Sequence, residues 1–253
     1  QMMKRTDGEA DLRGGGTSSA RMTAPLVAVA ALLRPWLSST GLAVEAHLGA
    51  VGDVEALPLD NCPERWDNET CEALRCRDPD AAARMAELIE ATRRDRDSIG
   101  SRVDLQVCGL PLGLGEPWFD GLEPALARAM MAIPAARGVE IGHGFGVQTM
   151  RGSEHNSPWG GSSEDPVLLG ERPDGALAGL STGAPMHLRV AFKPPSSIPR
   201  VQHTLNVKTN QQEPLIVKGR HDPVLGPRAV AVVEAMALLV IADLMIRGGF
   251  LDE

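Results

Sequence analysis

The chain has 253 residues, 43% hydrophobic but only 3% aromatic and without Tyr, so a sizeable core must be built from aliphatic side chains and Met. A formal net charge of -8 argues against a nucleic-acid partner or an anionic membrane surface, since both need a basic face. Cys62, Cys71, Cys76 and Cys108 form neither a disulfide scaffold nor a paired zinc-ligand set, which leaves reduced thiols and no metal site.

Residues 1–12 read as a polar, frayed end, and Arg13-Gly14-Gly15-Gly16-Thr17-Ser18-Ser19-Ala20-Arg21 as a glycine-rich loop. The loop feeds an Ala/Val/Leu helix over about residues 19–34, with Pro25 in its first turns and Pro35 as its stop. Val44, Ala46, Leu48 and Ala50 alternate with Glu45, His47 and Gly49 as a half-buried strand. Residues 57–70 are a Pro/Asn/Asp-rich linker, and Asp78-Pro79 caps a helix whose buried face carries Met85, Leu88, Ile89 and Thr92. Val103, Leu105 and Val107 alternate as a strand, and Leu122, Leu126, Met130 and Ile133 form a helical stripe ended by Pro134.

The glycine density of residues 138–146 predicts tight turns, and residues 151–175 a long mobile loop. Met186, Leu188, Val190 and Phe192 mark one face of a strand, and residues 204–207 and 215–217 pair as a hairpin across 209–212. Residues 227–247 form a long apolar helix stopped by Gly248-Gly249. Glu234 and Asp243 interrupt its most apolar part, so no membrane anchor is read there. Helices mixed with hairpin-like strands predict an α+β fold, in one domain over residues 1–253.

Four stretches could carry chemistry. The first is the glycine-rich loop, where bare backbone, Ser18 and Ser19 and a helix start suit an anion. It lacks the Lys of a Walker loop, and a serine-capped glycine turn is the commoner reading of such a stretch. The second is Lys193-Pro194-Pro195-Ser196-Ser197, one cation and two hydroxyls on a rigid strand end. The third is residues 138–156 with His143 and His155, where solvated loop histidines are the commoner reading. The fourth is Lys218-Gly219-Arg220-His221-Asp222-Pro223, two cations, an imidazole and one acid just before the long helix. Each alone is matched by a bland alternative.

Together, in order, they resemble chorismate synthase. The resemblance rests on Arg13 to Gly16 with Ser18 to Arg21, on Gly113-Leu114-Gly115-Glu116-Pro117 and on Gly138-Val139-Glu140-Ile141-Gly142. It continues through Arg151-Gly152-Ser153-Glu154, Ser181-Thr182-Gly183, residues 193–198 and residues 218–223. It implies a lyase of the shikimate pathway of aromatic amino acid biosynthesis that converts 5-enolpyruvylshikimate 3-phosphate to chorismate by 1,4-elimination of phosphate. The cofactor it implies is reduced FMN, with NADPH as one candidate reductant. The fold it implies has helices sandwiched between antiparallel sheets, in a cytoplasmic homotetramer, or a plastid one in a eukaryote. On matching positions, Ser19, Ala20, Arg21 and Arg220 would touch substrate. Thr17, Ser18, Ser19, Pro134, Ala135, Ala178, Lys193, Pro194, Pro195, Ser196, Ser197 and Arg220 would line the flavin, and Asp222 would relay the proton.

The chain departs from the family pattern in several places. The match covers the carboxy-terminal two thirds of the family, and the first third, with a Gly-Glu-Ser-His-Gly-type motif and a second histidine, has no counterpart among His47, His143, His155, His187, His203 and His221. Thr17 stands where the family has Arg, Met22 where it has Glu, and Ala178 where a Gly approaches the flavin. Glu171-Arg172-Pro173-Asp174 replaces an Asn-rich, Ala-Gly-Gly run. An N-terminally incomplete, divergent enzyme is therefore expected. The alternative is a non-catalytic relative that binds flavin or another anion, or that assembles with an intact subunit.

Overall fold

The computed structural model describes residues 7, 9, 16, 19–170 and 173–250. A 3-10 turn at Ala20–Thr23 opens into α1 (Ala24–Ser39), with Pro25 in its first turn. Pro35 does not stop this helix. Its missing N–H forfeits one bond to the Ala31 carbonyl, but both residues are exposed, so water can take that carbonyl. The helix ends where Thr40 Oγ1 donates to Leu37 O at 2.7 Å and Gly41 turns the chain at φ +89°.

The chain continues into β1 (Ala43–Val51) and the short β2 (Val54–Glu55). The expected linker carries one turn-and-a-half of helix, α2 (Glu69–Leu74), capped by Asn68 Oδ1, which accepts from Cys71 N at 3.0 Å. α3 (Pro79–Arg94) starts where Asp78-Pro79 predicts, with Asp78 Oδ1 accepting from Ala81 N at 3.0 Å. β3 (Ser101–Cys108) and α4 (Leu122–Ala132) follow as expected. β4 (Ala136–Ile141) runs into the first half of the glycine run read as turns.

The segment expected as one long loop holds α5 (Gly152–His155), β5 (Trp159–Gly161) and β6 (Pro166–Leu168). Then come β7 (Ala176–Leu177), β8 (Leu180–Ser181), β9 (Met186–Phe192), β10 (Gln202–Asn206), β11 (Gln211–Leu215) and α6 (Gly226–Arg247). The β10–β11 turn is 207–210, two residues earlier than expected. Asn206 Oδ1 accepts from Lys208 N at 3.0 Å and Asn210 takes φ +56°, which leaves Gln211 and Gln212 in the strand.

Five strands form one antiparallel sheet in the order β2-β1-β3-β9-β4. With no parallel pair among the described residues to demand crossover helices, the architecture is α+β. Val44, Ala46 and Leu48, Val103, Leu105 and Val107, and Leu188 and Val190 are buried on one face. α6 packs on this face along β1 and β3, flanked by α1 and α4. Ala20–Ser39 and Gly226–Arg247 are long and apolar enough to cross a bilayer by length and composition, but the second is mostly buried as the central core helix. All four cysteines are unbridged thiols.

Glu234, the charge that interrupts α6, closes the open edge of β1. Its Oε1 accepts from Ala46 N at 2.9 Å, and its Oε2 binds Arg34 Nη2 at 2.8 Å. Arg34 Nη1 donates in turn to Val44 O at 3.0 Å. The two side chains thus stand in for a neighbouring strand. Burial pushes the Glu234 carboxyl above the ordinary glutamate range, against the Ala46 N–H and the Arg34 guanidinium, which favour the anion.

The opposite sheet face is polar. His47 is buried there across from Asp104, and its Nδ1 accepts from Arg77 N at 3.4 Å. Burial holds its imidazole down at about 4 against an ordinary 6.5, with Asp104 opposing and Arg77 and Arg102 assisting. The unfolded chain therefore takes up a proton below pH 6.5 that the folded chain refuses until about pH 4. Stability should be full above pH 6.5 and fall by about 3 kcal/mol between there and pH 4. Urea midpoints across that range should show the fall, and His47→Asn should flatten it; an unchanged slope in the variant removes His47 as the cause.

Candidate functional site

The segment 97–100, between α3 and β3, gathers two of the sequence motifs at one strand-end edge of the sheet, where β3 starts and β9 finishes. Ser98 Oγ donates to Pro195 O at 2.6 Å, and Ile99 N donates to Pro223 O at 2.8 Å. A Cβ on Gly100 would meet Phe192 O at 3.3 Å and Pro194 Cδ at 3.7 Å, so its bare backbone lets the 193–197 loop close. Asp97 pairs with Arg200 just beyond that loop. On the other side, Lys193 N donates to Ala135 O at 3.0 Å, where Ala135 sits at φ +73° after Pro134. Pro134-Ala135, the 193–197 loop and the 218–223 loop are thus fastened around the same edge. Ser197, Gly219, His221, Asp222 and Pro223 line one cavity of about 100 Å³ together with Arg93, Arg96, Asp97 and Pro199.

Asp222 lies four residues before α6 and is held by its first turn. Arg228 Nη1 reaches Asp222 Oδ2 at 2.7 Å and Nη2 donates to Oδ1 at 3.1 Å, a two-pronged clamp. His221 Nε2 lies 2.9 Å from Val217 O. Among the described residues, Arg21, Lys193, Lys218 and Arg220 have no ion-pair or side-chain hydrogen-bond partner. With the charge of Asp222 taken up by Arg228, this edge is left with positive charge for an anion.

The amino ends of both long helices point toward the same edge. α6 begins where a Cβ on Gly226 would strike Leu48 Cδ1 at 2.4 Å and Ser101 Cβ at 2.9 Å, beside the start of β3. α1 ends at the opposite edge, where Gly109 presses on Gly41 O. Measured from the Arg34–Glu234 pair, the two helices extend about 15 Å and about 12 Å to their starts at 1.5 Å per residue. Their N–H ends add partial positive charge at this level. Ahead of α1, Ser19 N donates to Gly16 O at 2.8 Å, and Ser19 Oγ accepts from Arg21 N at 3.2 Å. Ser19, Ala20 and Arg21 therefore lie on the exposed approach to α1, whereas Thr17 and Ser18 fall outside the described residues.

Ala178 is not brought to this edge. It sits at φ +54° in the two-residue turn between β7 and β8, beside Gly179 at φ +88°. That hairpin is tied to the 113–117 loop: Leu122 N donates to Gly179 O at 2.8 Å, and Ser181 Oγ accepts from Leu114 N at 2.9 Å. It precedes Met186, at the far end of β9 from Lys193, about 20 Å away at the rise of a strand. Ala178, expected at the flavin with Lys193, thus lies at the other end of β9 from it in this chain; turn residues carry no sign of which sheet end they serve.

Two larger cavities, about 370 Å³ and about 650 Å³, lie on the polar sheet face and beside the β5–β6 hairpin; a further one, about 350 Å³, adjoins residues 97–99, where its cation Arg200 is paired with Asp97 beside Asp95. The guanidiniums of the first are already taken, Arg102 by Asp104 at 2.7 Å and Arg189 by Glu140 at 3.1 Å. Asp60, Glu164 and Asp165 make the second acidic. None of the three offers an anion the uncompensated cations of the first edge. His143 and His155 meet ring to ring at 5.7 Å, and His155 Nε2 pairs with Asp174 at 2.9 Å, on the loop side.

Sequence reasoning missed the 97–100 segment and Arg228. The first contributes mainly backbone and one hydroxyl; its trace is an Asp-Ser-x-Gly run between a helix and a strand. The second could have been found as the only cation in the opening turn of the long helix.

The family model for chorismate synthase matches residues 1–246. Chorismate synthase of Methanosarcina barkeri is 44% identical over 245 residues, covering 97% of this chain and 67% of that protein. The enzyme of Aeropyrum pernix is 45% identical over 250 residues, covering 97% of this chain and 65% of that protein. A crystal structure of a chorismate synthase superposes with a TM-score of 0.71 at 25% identity, covering 91% of this chain and 65% of that one. The chain thus spans about two thirds of the length of the relatives it matches.

Proposed function

Because the chain belongs to the chorismate synthase family, we propose that it catalyses the elimination of phosphate from 5-enolpyruvylshikimate 3-phosphate to give chorismate, with reduced FMN as cofactor. The observation that carries this reading is the fastening of the 193–197 and 218–223 loops to one segment, with clamped Asp222 and unpaired cations at the same edge. In the reaction, one C–O bond to phosphate and one ring C–H bond break and a conjugated diene forms, with no net oxidation. When bound, reduced FMN would lend an electron to that bond breaking and accept the proton. Arg21 and Arg220 bind and orient the substrate's carboxylates and phosphate. Lys193, Ser196 and Ser197, with Pro134, Ala135, Pro194 and Pro195 as rigid wall, hold the flavin. Asp222, kept in one orientation by Arg228, moves the proton at its carboxylate. The working form we propose is a cytoplasmic homotetramer.

A second reading is a relative that binds flavin without turnover. It is favoured by one observation: among the described residues, His221 alone brings an imidazole to the Asp222 cavity, and its Nε2 is engaged with Val217 O. The two separate on one assay, release of inorganic phosphate with and without chemically reduced FMN.

A further inference from the structure

The cavity beside Asp222 contains an arginine that neither the motifs nor the family resemblance assigns a role. Arg96 follows the end of α3 and holds φ +57°, a left-handed backbone that a side-chain-bearing residue adopts at a cost. Glycine or Asn would be the ordinary residue there. The other ionic groups lining the cavity are matched in charge. Asp97 is paired with Arg200, Asp222 is clamped by Arg228, and Arg93 binds Glu90 at 2.7 Å. Among the described residues the Arg96 guanidinium has no ion-pair or hydrogen-bond partner. Ser197 adds a hydroxyl, and Gly219, at φ +130° with open space at its Cβ position, adds bare backbone. About 100 Å³ holds roughly three waters at ~30 Å³ each, or a single small tetrahedral anion.

We propose that this cavity is an anion subsite that takes a phosphate monoester group, with Arg96 as its uncompensated cation and Ser197 as a hydroxyl donor. The end of α3 carries partial negative charge, and a cation there is favourable for the helix itself. That alone would be served by any nearby Lys or Arg and does not require one in a left-handed backbone. The identity of the ligand rests on the proposed function, since flavin phosphate and substrate phosphate share this chemistry; the subsite itself does not.

Arg96→Gly removes the cation and suits the left-handed backbone, so the variant should fold with an unchanged or higher melting temperature. Inorganic phosphate should raise the melting temperature of the parent chain, of Arg96→Lys less, and of Arg96→Gly not at all. Equal protection of parent and Arg96→Gly overturns the proposal, whether or not the chain turns over. Two further arms identify the source. A rise of ~10-fold in the dissociation constant of FMN in Arg96→Gly, with riboflavin unchanged, assigns the flavin phosphate. A comparable rise in KM for 5-enolpyruvylshikimate 3-phosphate with FMN affinity unchanged assigns the substrate phosphate. No change in any of the three ligands sinks the subsite.

Discussion

Asp222→Asn should lower the rate of phosphate release by about 10²–10⁴-fold, the range for removing a positioned proton-transfer group. FMN affinity should be largely retained, because the amide keeps the size of the carboxylate and the loop is fastened elsewhere, by Ile99 N on Pro223 O. The structure supplies the reason for so large an effect at so small a change. Both carboxylate oxygens are engaged by Arg228, at 2.7 and 3.1 Å, which fixes the plane of the group relative to the cavity. An amide presents one acceptor instead of two, so it loses both the proton-accepting charge and half of the clamp. Single-turnover phosphate release under anaerobic conditions separates this from a folding defect when run beside far-UV dichroism. A variant that releases phosphate at the parent rate assigns the proton transfer to another group.

Glu234→Ala should cost about 3 kcal/mol of stability, the largest single loss expected outside the apolar core. Truncation leaves Ala46 N without its acceptor at the open edge of β1, and leaves Arg34 beside Val44 O without its counter-charge. The side chain is only partly buried and Arg34 is nearer solvent, so water recovers part of the penalty and keeps the loss below that of a fully buried pair. Glu234→Gln should lose less, since its side-chain oxygen can still accept from Ala46 N. Urea unfolding at neutral pH orders the three proteins; a Glu234→Ala midpoint equal to the parent would mean that the β1 edge is held by other contacts.

The elements that the sequence states most strongly are those where one physical signal suffices. α6 follows from an apolar run with no Pro or Gly after its first residues and a Gly-Gly stop, and β9 from alternation at Met186, Leu188, Val190 and Phe192. The 218–223 motif could be placed just before α6 because Pro223 and Pro227 mark the approach to the helix. What remained illegible depends on tertiary context. α1 runs through Pro35 because the affected carbonyl can face water, which no local rule reveals. β4 is hidden in a glycine run because its partner β9 lies some fifty residues away in sequence. Residues 193–197 and 218–223 could each be read as anion-binding, but their meeting depends on Ser98 Oγ and Ile99 N reaching carbonyls, and a carbonyl acceptor leaves no mark on residue type. Ala178 looked like a companion of Lys193 in the family pattern, yet the length of β9 sets them apart.

The account is tested most directly by incubating the chain anaerobically with 5-enolpyruvylshikimate 3-phosphate and dithionite-reduced FMN and following chorismate absorbance and phosphate together. The expected result is equal amounts of both products, formed only while the flavin is reduced and with no net consumption of reductant. Tight FMN binding with neither product would contradict catalysis and leave a flavin-binding relative in its place.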